Sequence, residues 1–107
     1  MPEPRSDRPL VLAPARHLDG ATATDFEAEL LRRIDESALA VLLDCSAMDY
    51  ISSAGLRVIL RAGKRLTAGG GRLALCGLTE DCREAFRISG FDRLFALYPS
   101  VDAGLDA

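Results

Sequence analysis

Two adjacent serines, Ser52 and Ser53, stand where an apolar segment gives way to an amphipathic one. Residues 39–43 are all apolar, and residues 56–66 repeat apolar side chains at helical spacing. A hydroxyl at the start of a helix meets free backbone N–H groups and the positive end of the helix dipole, which favour an added phosphate. In open α/β sheets, partners also dock at the loops that follow the strands. Ser53 is therefore a candidate site for a covalent switch.

A plainer interpretation of Ser53 is that its oxygen caps a backbone N–H group, which contributes about 1 kcal/mol. Ser52 can form the same cap, and only one of the two serines can hold it. Gly55 has no Cβ, so it either packs closely against a neighbour or lets the backbone of a partner approach. On spacing alone, a helix cap and a regulatory site both stay open.

Other chemistries find less support in the residue types. His17 is the single histidine, and no sequence context places it beside a nucleophile. The glycines at 69–71 follow a predicted helix and open a strand, the reverse of the order in a phosphate-binding loop. Asp19, Asp44 and Asp49 suggest the magnesium cluster of a receiver domain, but the acidic pair and the lysine which that class needs are missing. We expect no metal, no cofactor and no catalytic residue, with Asp44 as a turn residue.

The composition limits the class of protein. The 107 residues suffice for one domain with one core, and 49% apolar with 27% charged residues is typical of a globular protein. A net charge of −3 lacks the basic footprint of a nucleic-acid binder. The polar N-terminus shows no signal peptide, and the apolar runs are far shorter than the roughly 20 residues that span a bilayer. We therefore expect a cytoplasmic protein without nucleic-acid or membrane contacts.

The three cysteines are odd in number and widely spaced. With a single histidine in the chain, Cys45, Cys76 and Cys82 do not suggest a tetrahedral zinc site. Cys45 and Cys76 fall at the ends of apolar segments, so we expect both to be buried free thiols.

The elements that position these residues alternate between strands and helices. Strands are predicted at 10–13, 39–43, 72–76 and 94–98, and helices from Thr22 or Thr24, after Ser53, from Thr79 to Gly90, and as a frayed turn at 101–107. Thr24 and Glu27 have the spacing of a capping box. Phe86 and Ile88 are expected to face inward on the third helix.

Crossovers of this length imply parallel pairing of the strands. The predicted fold class is α/β, with a small, mostly parallel central sheet of about four strands alternating with three to four helices. Pro14 follows the first strand and predicts that this strand either lies at an edge of the sheet or ends there. Residues 1–8 read as a flexible tail, and residues 9–107 as one domain.

The run from Leu42 to Leu60 resembles the signature of STAS domains, specifically of bacterial anti-sigma factor antagonists. The family pattern is an apolar strand ending in Asp, a short loop, an acid or serine, a phosphorylatable serine, a small residue, Gly and Leu. Leu18-Asp19 and the segment from Ile88 to Phe95 also match, and the likeness covers roughly residues 10–100. Many family members have an extra strand before the position of Leu10, where this sequence has only a short polar segment, and the predicted C-terminal helix looks truncated and carries Gly104.

Aligning Gly55 and Leu56 on the Gly-Leu pair of the family places the phosphoserine at Ser53, with Ser52 as a minor alternative. The resemblance implies partner switching, in which the unmodified protein binds a serine-kinase anti-sigma factor. Phosphorylation at Ser53 then weakens the complex, and a metal-dependent serine phosphatase resets the system. In this scheme the protein is a substrate and a binder, not an enzyme.

The expected partner surface lies around Ser53 and along the exposed face of the following helix. Its residues are Met48, Asp49, Tyr50, Ile51, Ser52, Ser53, Ala54, Gly55, Arg57 and Arg61, with Lys64 further along. The cations among them are equally consistent with a solvated helix face.

Two other functions stay open at this point. The resemblance is also compatible with a STAS accessory subunit of a transporter ATPase, of the lipid-transport or sulphate type, which would act without phosphorylation. A third interpretation is a small-ligand binder that uses the loops after Asp44 and Gly77, although no glycine-rich phosphate motif supports it.

Overall fold

The structure is a computed structural model that describes residues 9–36 and 40–107. The strands are β1 (Leu10–Leu12), β2 (His17–Leu18), β3 (Ala40–Asp44), β4 (Tyr50–Ile51), β5 (Arg72–Cys76) and β6 (Ala96–Tyr98). The helices are α1 (Ala23–Glu36), α2 (Ser53–Ala68), α3 (Glu80–Ser89) and α4 (Val101–Asp106), with a 3₁₀ turn at Phe91–Arg93. The predicted tail at residues 1–8 lies outside the described residues.

Four parallel strands form the main sheet in the order β1-β3-β5-β6. This confirms the predicted α/β class and the edge position of β1. The central strands β3 and β5 are mostly buried, as expected for parallel strands that are covered on both faces. A separate pair, β2 and β4, forms a short two-stranded parallel ladder, and the sequence analysis predicted no strand at Tyr50–Ile51.

Alternate residues of the central strands face two different apolar clusters. Val41 and Leu43 of β3 belong to the larger cluster, together with buried side chains from α1, α2 and α3. Leu42 points to the other side, where it packs with Ala74 and Cys76 against Tyr98 and the start of α4. The period of two therefore assigns three helices to one face of the sheet and α4 to the other.

The short helix α4 approaches the sheet closely. A Cβ atom at Gly104 would lie 2.8 Å from both Cδ atoms of Leu42, so only glycine permits this approach. The predicted frayed turn is a six-residue helix, whose N-cap Ser100 accepts a hydrogen bond from the Ala103 N–H at 3.2 Å.

Three local predictions were wrong. The capping box at Thr24 and Glu27 does not form, because α1 begins at Ala23 and the carboxylate of Glu27 pairs with another helix. Ile88 is 73% exposed, whereas Phe86 is fully buried. The last strand begins at Ala96 rather than at residue 94, because the 3₁₀ turn diverts the chain and leaves Leu94 61% exposed.

The cysteines are free and buried, which confirms the prediction for Cys45 and Cys76 and adds Cys82 on α3. Burial away from water raises the pKa of the Cys45 thiol, and the pKa of Cys76 is raised for the same reason. The Cys45 and Cys76 thiols therefore stay protonated at neutral pH and act as small apolar groups in the core.

We predict that Phe86→Ala lowers the free energy of unfolding by about 3–5 kcal/mol, because the substitution leaves a cavity in the core. Ile88→Ala on the same helix is the matched control and should change stability by less than about 0.5 kcal/mol, since its side chain already faces solvent. Urea unfolding followed by circular dichroism measures both values. Equal losses for the two variants would contradict the observed orientation of α3.

Candidate functional site

The site is built on the ladder of β2 and β4, which leads directly into α2. His17 lies opposite Tyr50, and Leu18 lies opposite Ile51. Leu18 and Ile51 are buried, so they anchor the ladder on the core, while His17 and Tyr50 are exposed on the other side. The ladder thus fixes the point at which α2 begins and presents two aromatic rings beside that point.

Ser52 is the N-cap residue of α2. Its backbone is extended, and its side-chain oxygen accepts a hydrogen bond from the Gly55 N–H at 3.3 Å. The Ser52 N–H donates to the Leu18 carbonyl at 2.9 Å, and its hydroxyl donates to the same carbonyl at 3.4 Å. The capping role that both serines could have filled therefore belongs to Ser52, which is only half-buried but fully engaged.

Ser53 is the first residue of α2, and its side chain is exposed. Its hydroxyl forms no hydrogen bond with any residue that the structure describes. The first turn of α2, which is described throughout, contains no acidic residue. The N–H groups of Ser53 and Ala54 precede the first intrahelical bond, from the Leu56 N–H to the Ser52 carbonyl. The hydroxyl is thus accessible at an uncompensated positive end of a helix dipole.

Gly55 is buried beneath this serine pair. A Cβ atom at this position would lie 2.5 Å from the Leu18 carbonyl oxygen and 2.8 Å from Cγ1 of Ile51. The geometry therefore supports close packing as the role of Gly55, and the alternative role of admitting the backbone of a partner is not supported.

Three residues of the expected partner surface lie in the core, so the prediction that they are exposed to a partner is wrong. Met48 is completely buried, and its carbonyl accepts from the Cys82 thiol at 3.6 Å. Ile51 is 7% exposed because it anchors the ladder, and Gly55 is covered by β2. The exposed residues of that set around the serines are Asp49, Tyr50, Ser53 and Arg57, with Ser52 and Ala54 half-buried.

Arg16 and His17 are also exposed in this region but were not part of the predicted partner surface, since His17 was considered only as a catalytic histidine. Arg16 forms an ion pair with Asp49, and the pair raises the pKa of the guanidinium. The His17 and Tyr50 rings meet edge to face with their centroids 6.4 Å apart.

We call Arg16, His17, Asp49, Tyr50, Ser53 and Arg57 the Ser53 surface. Only the pairing of two short strands brings its two halves together, and strands of two residues leave no periodic signal.

Arg61 forms an ion pair with Glu27 of α1. Its Nε and Nη2 atoms donate to the Glu27 carboxylate at 2.5 and 3.0 Å, which raises the pKa of Arg61. Arg65 forms a similar two-point pair with Asp35, at 2.9 and 2.8 Å. Both pairs tie α2 to α1. Arg57, in contrast, forms no ion pair with any described residue. Unlike Arg61 and Arg65, it could contact a ligand or partner without first breaking an ion pair to a described residue.

The three aspartates that suggested a magnesium cluster are each engaged separately. Asp19 accepts from the Ala21 N–H at 2.9 Å, and Asp44 accepts from the Ser46 N–H at 3.1 Å as a turn residue. Across residues 9–36 and 40–107, no group of three His, Cys, Asp or Glu side chains has a metal-binding arrangement. None of the helices in those ranges is long and apolar enough to cross a bilayer.

The α/β sheet and the serine pair at the start of α2 define the class of protein. The model of the STAS domain family matches residues 2–104, so this chain belongs to that family. The resemblance seen in the sequence is thereby confirmed. A relative from Bordetella bronchiseptica, BtrV, is 43% identical over 90 residues, which are 84% of this chain and 78% of that protein. BtrV carries a provisional assignment as an anti-sigma factor antagonist.

Solved structures show the same fold at lower identity. A protein from Thermotoga maritima, provisionally described as an anti-sigma factor antagonist, is 22% identical with a TM-score of 0.88, covering 98% of this chain and 91% of its own. The Bacillus cell fate determinant SpoIIAA in its phosphorylated form is 18% identical with a TM-score of 0.74, covering 97% and 94%. These likenesses concern the fold.

We predict that Ser52→Ala lowers the free energy of unfolding by about 1 kcal/mol, because the cap on the Gly55 N–H is lost. Ser53→Ala is the matched control and should change it by less than about 0.5 kcal/mol, since no bond of Ser53 is removed. Urea titrations of both variants test the assignment. A larger loss for Ser53→Ala than for Ser52→Ala would reverse the roles of the two serines.

Proposed function

We propose that this protein is an anti-sigma factor antagonist in a partner-switching pathway. Its unphosphorylated form binds a serine-kinase anti-sigma factor through the Ser53 surface. The kinase transfers the γ-phosphoryl group of ATP to the Ser53 oxygen, the hydroxyl proton is lost, ADP leaves, and the complex weakens. A metal-dependent serine phosphatase hydrolyses the phosphoserine and restores binding.

The observation that carries this proposal is the division of roles between the two serines. Ser52 is held by the cap and by the Leu18 carbonyl, whereas Ser53 is exposed and its hydroxyl bonds to none of the described residues. A kinase can therefore reach Ser53 without unfolding the start of α2. The relationship to BtrV supports the anti-sigma factor antagonist role over the transporter subunit.

Phosphorylation would act on the interface rather than on the fold. A phosphoserine adds about −1.5 to −2 charges, and the positive end of the α2 dipole stabilises negative charge in the free protein. In the complex, the same dianion would be buried against a partner that has no group to compensate it. A thousandfold loss of affinity requires about 4 kcal/mol, which such a buried charge can supply.

Arg57 supports this arrangement. It lies four residues after Ser53, so the two side chains share one face of the helix. The Arg57 side chain forms no ion pair within the described ranges, and helical side chains lean toward the N-terminus, which directs the guanidinium toward a phosphate on Ser53. Phosphorylation would therefore draw Arg57 onto the phosphate and away from a partner.

We predict that the cognate kinase and Mg-ATP add one phosphate to the wild-type protein at Ser53, as seen by mass spectrometry of peptides. Ser53→Ala should bind the kinase with wild-type affinity and accept no phosphate, because the surface keeps its shape and loses only the nucleophile. Ser53→Asp should bind at least tenfold more weakly, since a carboxylate carries part of the phosphate charge.

Ser52→Ala is the matched control and should still be phosphorylated, because the exposed serine remains. Modification at Ser52 alone would contradict the assignment of the site. Tight binding of the phosphorylated protein to the kinase would contradict the switch. Stable association with a transporter ATPase, independent of ATP and of Ser53, would favour the accessory-subunit alternative.

A second prediction concerns the phosphate itself. The second pKa of phosphoserine is about 6, and the helix dipole and Arg57 should lower it, because both favour the dianion. Arg57→Gln should raise this pKa by about 0.2–0.4, the equivalent of an exposed helical pair. Titration by ³¹P NMR measures it, and Arg83→Gln, an exposed change on α3, is the control. An identical pKa with and without Arg57 would rule out the contact.

A further inference from the structure

A groove of about 500 Å³ runs beside the C-terminal half of α2, at the opposite end of this helix from Ser53. Its walls include Leu60, Lys64, Arg72, Leu73, Leu94 and Phe95. Small-molecule sites in proteins commonly have volumes of about 300–1,000 Å³. The groove belongs neither to the Ser53 surface nor to the packing of α1 on α2.

The groove exists because β6 is shorter than β5. The two strands pair only from Ala74 and Ala96 onward, so Arg72 and Leu73 have no neighbour in β6. The chain enters β6 through the 3₁₀ turn instead, and Phe95 crosses to α2. A Cβ atom at Gly63 would lie 2.5 Å from Cε1 of Phe95, so the ring rests directly on the helix backbone and forms an apolar floor.

The groove combines this apolar floor with a cationic rim. Lys64 and Arg72 are exposed, and neither forms an ion pair with a described residue. No aspartate or glutamate is found among the described residues that form the walls. Arg61 and Arg65, also on α2, have both found carboxylate partners within the chain. The rim therefore offers two uncompensated positive charges beside exposed apolar surface.

We propose that this groove binds a free fatty acid with an acyl chain of about ten carbons or more. The acyl chain would lie on the apolar floor formed by Leu60, Leu73 and Phe95, with Leu94 as one wall. The carboxylate would accept charge-assisted hydrogen bonds at the rim formed by Lys64 and Arg72. An anionic amphiphile fits because its chain buries apolar surface and its negative charge pairs with the cations of the rim. A neutral or cationic amphiphile would bury apolar surface but would not pair with those cations. This inference does not depend on phosphorylation of Ser53.

The test is an NMR titration of the ¹⁵N-labelled protein with sodium decanoate and sodium dodecanoate, both below their micelle concentrations. We expect saturable shifts in the amides of the groove walls, with those of Tyr50 and Ser53 unchanged. Each added methylene should tighten binding by up to about fourfold, the equivalent of about 0.8 kcal/mol. Raising the salt concentration should weaken binding, because the rim contacts are exposed.

Three variants test which residues contact the ligand. Lys64→Gln combined with Arg72→Gln should weaken dodecanoate binding about 5- to 20-fold, since two exposed charge contacts are lost. Leu94→Gln should weaken it while leaving both cations in place. Arg83→Gln removes another exposed cation, on α3, and should leave the affinity unchanged.

Three results would overturn the proposal. Dodecanol or dodecyltrimethylammonium binding as tightly as dodecanoate would show that the rim selects no anion. Shifts centred on the Ser53 surface would place the ligand elsewhere. Shifts that do not saturate before micelles form would show that the protein has no such site.

Discussion

The carbonyl oxygen of Leu18 is the point on which the arrangement around Ser53 depends. It accepts hydrogen bonds from both the N–H and the hydroxyl of Ser52, at 2.9 and 3.4 Å. It also lies so close to α2 that any side chain at Gly55 would meet it at 2.5 Å. This single acceptor joins β2, β4 and the first turn of α2. Because the buried Leu18 side chain holds β2 against the core, the position of the start of α2 is also fixed.

The fixed start of α2 explains why the adjacent serines Ser52 and Ser53 differ in hydrogen bonding and in exposure. The cap needs an extended residue whose oxygen reaches back to the N–H three positions on, and Ser52 has that conformation. The next residue must then be helical, which turns Ser53 outward. One serine is therefore committed to the fold, and the other is left exposed. A phosphate on Ser53 breaks no hydrogen bond within the described chain, so the scaffold has no reason to rearrange when the charge changes.

The sequence predicted the parts of the fold that depend on local pattern and missed those that depend on distant pairing. The four parallel strands and the Thr79 cap follow from periodicity and residue type, and both are present. Ile88 was placed inward beside Phe86, but residues two apart lie on nearly opposite sides of a helix. Glu27 fits a capping box locally, yet its partner Arg61 lies 34 residues away. Met48 is buried by contacts with α3 that no local signal reveals.

The attachment of α2 limits how a structural change at one end of this helix can affect the other end. Its buried residues, among them Val58, Ile59, Ala62 and Leu66, lie along its length, and two arginines tie its outer face to α1. Exposed ion pairs contribute little to stability individually, so the apolar contacts hold the helix in place. A helix held along its length does not transmit a shift from one end to the other without disturbing the core. Events at Ser53 and in the groove beside Phe95 should therefore be energetically independent, and any joint effect on a partner would arise only if that partner covered both ends of the helix.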